Sequence, residues 1–541
     1  MAKELIYKEE ARKKLFKGVE KLSEAVKITL GPNGKLVVVE KKDNSPVITK
    51  DGVTVAKSIT LDDPAENLGA TILKEAATKT NDIAGDNTTT STVLAYAIVK
   101  EGLKAITSGL KPINIKRGID KATVDVINKL TEYSREVTEN EQIKSVATIA
   151  SNNDEEIGKL VAEAVEQIGR DGVIIADTSQ TTQTTIKVAK GMQFDNGWLS
   201  PFFCTNKERL EVEFKGAKLL ITDKKISTIE DVLSVLEPVA QQGGSLVIVC
   251  DDCDGNAMQT LVINAMQGTI KVAVVKAPSY GENRQAILED MAILTGGTVF
   301  SDTYNTNLRN ATIDMLGTCD IKITKNNTTI TNGQGSEDSI KERVTVLNGQ
   351  INNPDIGDYD KTKLKKRKAA FENGIASILV GGSTQSEVSE KKYRIDDTIA
   401  ATRCALEEGI LPGGGVALAE ASRALYNNVD STTEEGRGYQ ILLDAIVEPL
   451  KQIVNNADES GDVVYNNIVN KNTPNYGYNS KTGEYGDMFN FGVIDTCKAM
   501  KSALLNAASA AGTLLMCDCV ATEKVEENKQ PIMPPMGPMP Y

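Results

Sequence analysis

The run Gly85-Asp86-Asn87-Thr88-Thr89-Thr90, with Ser91 and Thr92 behind it, decides how the rest of the chain is read. Helix-like sequence leads into it from Ala65 to Asp82 and out of it from Val93 to Ile106. Small and hydroxylic residues at the mouth of a helix leave backbone N–H groups unpaired. The positive end of the helix dipole adds to their pull on an anion. Hydroxyls donate to phosphate oxygens, and Asp86 is a hard oxygen ligand suited to Mg2+. The alternative is local: Asp86 or Thr88 serves only to cap the second helix.

The chain of 541 residues is long for one core, and roughly two to four domains are expected. Composition is that of a globular protein, 40% hydrophobic and 25% charged, without the long apolar run that a membrane span needs. The opening residues, Met1 to Tyr7, have neither a signal peptide's apolar segment nor an Arg-rich leader, so a cytoplasmic location is expected. A net charge of −13, from 61 basic and 74 acidic residues, argues against a nucleic-acid partner or a polybasic membrane surface. There is no histidine. Its lack excludes Ser-His-Asp and Cys-His catalysis and every His-containing metal site, so any chemistry falls to carboxylates, a metal ion or both. Eight cysteines are too sparse for a disulfide scaffold. Cys250 and Cys253 have redox or zinc spacing, but Cys250 ends an apolar strand-like run from Ser245, and reduced structural thiols are expected.

Taken in order, Lys8 to Val26 keeps helical spacing through Ala11, Leu15, Val19, Leu22 and Val26. It runs into the turn Thr29-Leu30-Gly31-Pro32-Asn33-Gly34. Two strand-like segments follow, Leu36 to Val39 and Pro46 to Val53, with Asp51-Gly52 read either as a hairpin turn or as a loop approaching Gly85. Residues 65–175 are mostly helical, and Thr178 to Thr185 alternates like an exposed β-segment. The middle alternates strands (Lys218 to Thr222, Ser245 to Cys250, Ile270 to Ala277) with helices marked by Ile229, Val232, Leu233, Leu236 and Val239, then by Met258, Leu261, Val262, Ala265 and Met266. That alternation argues for a parallel sheet with helical crossovers. Val235 and Ile263 fall off their helical stripes, leaving more apolar surface than one buried face requires. Helical pattern returns from Glu337 to Glu408, where Asp396 and Asp397 cannot share a helix face. Gly413-Gly414-Gly415 precedes another helix, Lys501 to Leu515 is Ala-rich and helical, and a Met- and Pro-rich disordered tail closes the chain.

With these segments in view, the chain resembles the group I chaperonins, the GroEL family, from end to end. The matching segments are Thr29 to Pro32, Thr49 to Gly52, Gly85 to Thr90 and Gly191 to Asp195, then Lys276 to Pro278, Leu294 to Thr298, Glu407 to Gly415 and Asn475 to Asn479. The resemblance implies a multidomain, nested topology. A mainly α-helical equatorial domain would take 1–132 and 409–525, and a small α/β intermediate domain 133–189 and 376–408. An α/β apical domain, 190–375, would be inserted in the middle, with a tail at 526–541. It also implies an ATP-dependent chaperone, itself assembled in sevenfold rings (one or two), that binds non-native polypeptides and encloses them under a GroES-type co-chaperonin.

Carried over by position, Thr29, Leu30, Gly31, Pro32, Thr88, Thr89 and Thr90 would hold the phosphates, with Lys50 and Asn87 beside them in the ATP site. Asp86 would ligate Mg2+, with K+ as a second ion. Asp397 would organise the attacking water, assisted by Asp51, and Gly414, Tyr478, Asn479, Ser480 and Asp495 would line the nucleoside pocket. Trp198, Phe202, Phe203, Leu233, Leu236, Met258, Val262 and Ile263 would form the apolar rim shared by substrate and co-chaperonin. The chain departs from the family pattern at several points. Asn87 replaces the glycine of the phosphate loop, where its side chain is expected to crowd the phosphates and slow hydrolysis. Asn196 and Gln385 replace an Arg–Glu pair between subunits, Ser480-Lys481 replaces two small residues, and the Lys451 to Gly461 region differs. A ring-shaped holdase with weak or no ATP turnover is the competing expectation.

Overall fold

The computed structural model describes residues 3–41, 44–151, 154–170, 172–179, 181–207, 209–353, 358–372 and 374–523. The Met- and Pro-rich tail lies outside them. The chain separates into two compact units, one of Met1–Val161 with Arg394–Tyr541 and the other of Ala162–Tyr393.

The first unit is built on long helices whose faces follow the sequence periodicity. Helix Lys8–Lys27 buries Ala11, Leu15, Val19, Leu22 and Val26. Helix Pro64–Ala84 starts where the Asp63 carboxylate accepts from the N–H groups of Ala65 and Glu66, with Pro64 supplying a preset φ in the first turn. Helix Cys497–Met516 packs on both Pro64–Ala84 and Thr88–Thr107, and its Ala503, Ala507, Ala508 and Ala511 let the backbones come close. The two ends of the described chain meet: strand Lys3–Tyr7 pairs antiparallel with Cys519–Glu523, Tyr7 opposite Cys519. Strand Ile410–Pro412 pairs antiparallel with Ile494–Thr496, which sets Asp495 opposite Leu411.

The second unit holds a seven-stranded mixed sheet. Its strand order is Lys271–Lys276, Ser245–Cys250, Val212–Thr222, Gly317–Ile323, Thr328–Thr331, Gly191–Phe194, with Val299–Phe300 pairing with Val212–Thr222 as well. The expected parallel arrangement holds for Val212–Thr222, Ser245–Cys250 and Lys271–Lys276, with Val299–Phe300 also parallel to Val212–Thr222, while Gly317–Ile323, Thr328–Thr331 and Gly191–Phe194 add on antiparallel. Ser245–Cys250 is buried along its whole length, as a central strand covered on both faces must be. A separate three-stranded sheet places Ile375–Val380 between Val173–Thr178 and Thr185–Ala189.

Four local readings need correction. Asp51-Gly52 is not a hairpin turn: Asp51 is the N-cap of a helix, Gly52–Ser58. Ser179 and residues 181–184 lie between strands Val173–Thr178 and Thr185–Ala189 and belong to neither, because Thr and Gln alternate in exposed connections as well as in exposed strands. The helical pattern read from Glu337 to Glu408 is broken by strand Ile375–Val380, a short apolar run whose period cannot separate strand from helix. Val235, read as surplus apolar surface, is fully buried because its helix is covered on more than one side. All eight cysteines are free, and burial raises the Cys253 thiol to about 11 and that of Cys250 further, so both stay protonated.

A cleft lined by the glycine and threonine loops

The first unit contains a cleft of about 470 Å3. Thr29 to Pro32, Lys50, Asp51, Asp86 to Thr90, Asp397, Gly414, Tyr478, Asn479, Ser480 and Asp495 all line it. Residues separated by more than four hundred positions thus meet in one place.

Each wall has a local cause. Gly85 ends helix Pro64–Ala84 in the left-handed conformation (φ 65°), and its N–H caps the Asn81 carbonyl at 2.8 Å. Helix Thr88–Thr107 begins immediately, and its first ladder bond is Ser91 N–H to Asn87 O at 2.9 Å. The N–H groups of Thr88, Thr89 and Thr90 therefore precede the ladder at the positive end of a 20-residue helix. The Thr29 loop is pinned from behind by Asn456, whose Nδ2 donates to Lys27 O at 2.9 Å and Leu30 O at 2.8 Å. Lys50 Nζ donates to Pro32 O at 3.0 Å. Gly52 lies so close to the threonine loop that a Cβ there would stand 2.1 Å from Thr89 Oγ1, which brings the Asp51 cap against the helix mouth. Asp397 faces the cleft while its neighbour Asp396 does not, the divergence that adjacent helical positions require.

The electrostatics suit a polyanion carried with a cation. Burial raises the Asp86 carboxyl, offset in part by the Asn87 N–H donating to Oδ1 at 2.6 Å. Burial, and then the charge of Asp86, lift Asp495 to about 7. Asp86, a hard carboxylate donor in the cleft wall, fits one Mg2+. Among the described residues no three His, Cys, Asp or Glu side chains cluster around a metal position, so oxygens beyond the protein's own would complete the shell. Burial also holds Lys50 below the usual lysine range.

The mouth includes residues that the sequence reading did not single out. Glu141, Lys144, Ser145 and Thr148 come from helix Asn140–Ala150, and Arg394 donates to Asp154 Oδ2 at 3.1 Å. Their four-residue spacing on an amphipathic helix marked one polar face and nothing more, so no signal set them apart.

The eight apolar rim candidates divide by exposure. Phe202, Leu233 and Ile263 are exposed, whereas Trp198, Met258 and Val262 are half-buried against the core of the second unit. Phe203 and Leu236 are buried in that core and present no surface, because they close the gap between short helices and the sheet. Met266, read as part of a buried helix face, is 63% exposed and joins Ile263 (53%) on one side of helix Gly255–Met266. Asn196, at a departing position, is held inside its own unit by donating to Ala277 O at 3.0 Å.

The sequence profile of the TCP-1/cpn60 chaperonin family matches residues 22–525. The chain belongs to that family. Among solved structures it is similar to the chaperonin gp146 of bacteriophage EL 2 (Pseudomonas aeruginosa), crystallised in the presence of ATP-BeFx. One crystal form gives a TM-score of 0.69 at 23% identity, covering 96% of this chain and 99% of that one. The other gives 0.62 at 24%, with the same coverage. The GroEL-like fold expected from the sequence motifs is the fold observed. No described helix is long and apolar enough to cross a membrane.

Proposed function

We propose that the chain is an ATP-hydrolysing chaperonin subunit. The carrying observation is the convergence of Thr29 to Pro32, Lys50, Asp86 to Thr90, Asp397 and Asp495 on one cleft. Its volume falls in the range of small-molecule sites. The ATP analogue present with the fold relative gp146 supports a nucleotide as the ligand.

In this reading the N–H groups of Thr88 to Thr90 and the Thr29–Pro32 loop hold phosphate oxygens. Mg2+, held by Asp86 with phosphate oxygens, would neutralise charge that develops on the transferred phosphoryl group. Asp397 orients a water in line with the terminal phosphorus and accepts its proton as the bond to the ADP oxygen breaks. Asp51 acts beside it, and Tyr478, Asn479, Ser480 and Gly414 enclose the nucleoside. K+ serves as a second ion. Residues 1–132 and 409–525 form the nucleotide domain, 133–189 and 376–408 the hinge, and 190–375 the domain that binds polypeptide. Rings of seven such subunits capture non-native chains on the exposed side chains Phe202, Leu233, Ile263 and Met266, and a GroES-type partner competes for that surface. Non-directional apolar contact suits a binder that must accept many sequences.

The test is refolding of a denatured model enzyme mixed with the purified protein, Mg2+ and K+. Capture without nucleotide, followed by release of active enzyme on adding ATP and a GroES-type lid, is expected. Capture with no ATP-dependent release would establish a holdase instead.

A further inference from the structure

Asn87 stands at the junction of the phosphate loop and helix Thr88–Thr107, with φ 61° and ψ 21°. That left-handed geometry is one asparagine adopts more readily than most residues, so the side chain is accommodated without distorting the loop. Residues at such a junction commonly turn their side chain onto the free N–H groups of the helix. Asn87 does not: it makes no side-chain cap. Instead its Oδ1 accepts from Thr90 Oγ1 at 3.3 Å. Its Nδ2 is buried, and no protein atom accepts from it. A buried amide donor left unpaired is costly, and few survive in a folded chain. The residue that carries it lines the cleft, beside Asp86 and Thr88, Thr89 and Thr90.

We propose that the Asn87 carboxamide is a fourth donor to the bound nucleoside polyphosphate, made by this side chain to an anionic phosphate oxygen at the helix N-terminus. The proposal rests on the nucleotide reading of the cleft and reverses the steric expectation for this position. Anchored through Thr90, the amide adds a neutral, fixed donor beside Lys50, whose Nζ already donates to Pro32 O. It tightens retention of ATP and of ADP, and it has no bearing on the nucleoside end, which Tyr478, Asn479 and Ser480 line.

The test compares equilibrium binding of ATP with Mg2+, and of adenosine, to the wild-type protein and to Asn87→Gly, Asn87→Ala and Asn87→Asp. Loss of one hydrogen bond to a charged group corresponds to a weakening on the order of ten- to a hundredfold. Asn87→Gly and Asn87→Ala should therefore bind ATP weaker by about that factor, with adenosine affinity unchanged. Asn87→Asp should be weaker still, because a carboxylate replaces the donor. ATP binding by Asn87→Gly as tight as or tighter than wild type overturns the proposal and restores crowding as the role of this side chain. An equal loss for ATP and adenosine overturns it too, since a general loosening of the loop is then the cause. Wild-type protein that binds neither ligand removes the nucleotide reading itself, a result distinct from either of these.

Discussion

Two carboxylates at the cleft are engaged differently, and the difference can be measured. Asp51 accepts from Val53 N–H at 3.2 Å, from Thr54 N–H at 2.9 Å and from Thr54 Oγ1 at 2.6 Å, so it holds the first turn of helix Gly52–Ser58 whatever else it does. Asp51→Ala should lower stability by roughly 0.5–2 kcal/mol, the usual cost of a lost cap, whereas Asp51→Asn should keep most of it. Thermal unfolding of the two variants checks this, and equal midpoints would remove the capping role. Asp495, with Asp86 raised in the same direction beside it, contributes to the pH dependence. Its folded pKa of about 7 lies above the ordinary carboxylate value, so the folded chain holds a proton that the unfolded chain has released. The penalty is absent in acid, grows as pH rises from about 4 to about 7 and is complete above that. Nucleotide-free protein should thus melt higher at pH 6 than at pH 8, and Asp495→Asn should raise the pH 8 midpoint and flatten the profile. A lower midpoint for Asp495→Asn at pH 8 would contradict the assignment of burial, and then the Asp86 charge, as the cause.

Among elements, the contact that matters most joins the Gly85 to Thr90 loop to helix Gln385–Glu408. A Cβ on Gly85 would stand 2.5 Å from Ala400 Cβ and 3.1 Å from the Asp397 carbonyl oxygen. Gly85 thus permits both the left-handed turn and the close seating of the helix that carries Asp397. Gly85→Ala should cut phosphate release at least tenfold, through displacement of Asp397, while ATP affinity falls less. A variant that loses binding and turnover in equal measure would mean the loop itself had failed. The sequence made much of this scale legible. The stripe from Ala11 to Val26, the buried run Ser245–Cys250 and the triple glycine before helix Val416–Leu425 each have one dominant local signal. Strand Ile375–Val380 was hidden because six residues between helices, five of them apolar, have no distinguishing period. The cleft residues of helix Asn140–Ala150 were hidden because exposure of a polar face does not say what it faces. The buried state of Leu236 and Phe203 depends on neighbours far along the chain, which a local pattern cannot contain.

At the scale of the whole molecule, the chain carries a cleft in one unit and exposed apolar side chains in the other, within a chaperonin fold. If the patch captures unfolded chains, replacing Ile263 and Met266 by Ser should weaken binding of a denatured model protein severalfold, read by co-sedimentation or fluorescence anisotropy. Basal ATP hydrolysis should be unchanged, because neither side chain lines the cleft. Unaltered capture would place the polypeptide site elsewhere. The proposed hydrolysis of ATP through Asp397 is tested by steady-state phosphate release with Mg2+ and K+, paired with ATP binding. The account predicts steady turnover by the wild-type protein and a loss of well over tenfold in Asp397→Ala at near-normal ATP affinity. Equal hydrolysis by the two proteins, or a wild type that binds ATP without turning it over, would contradict it.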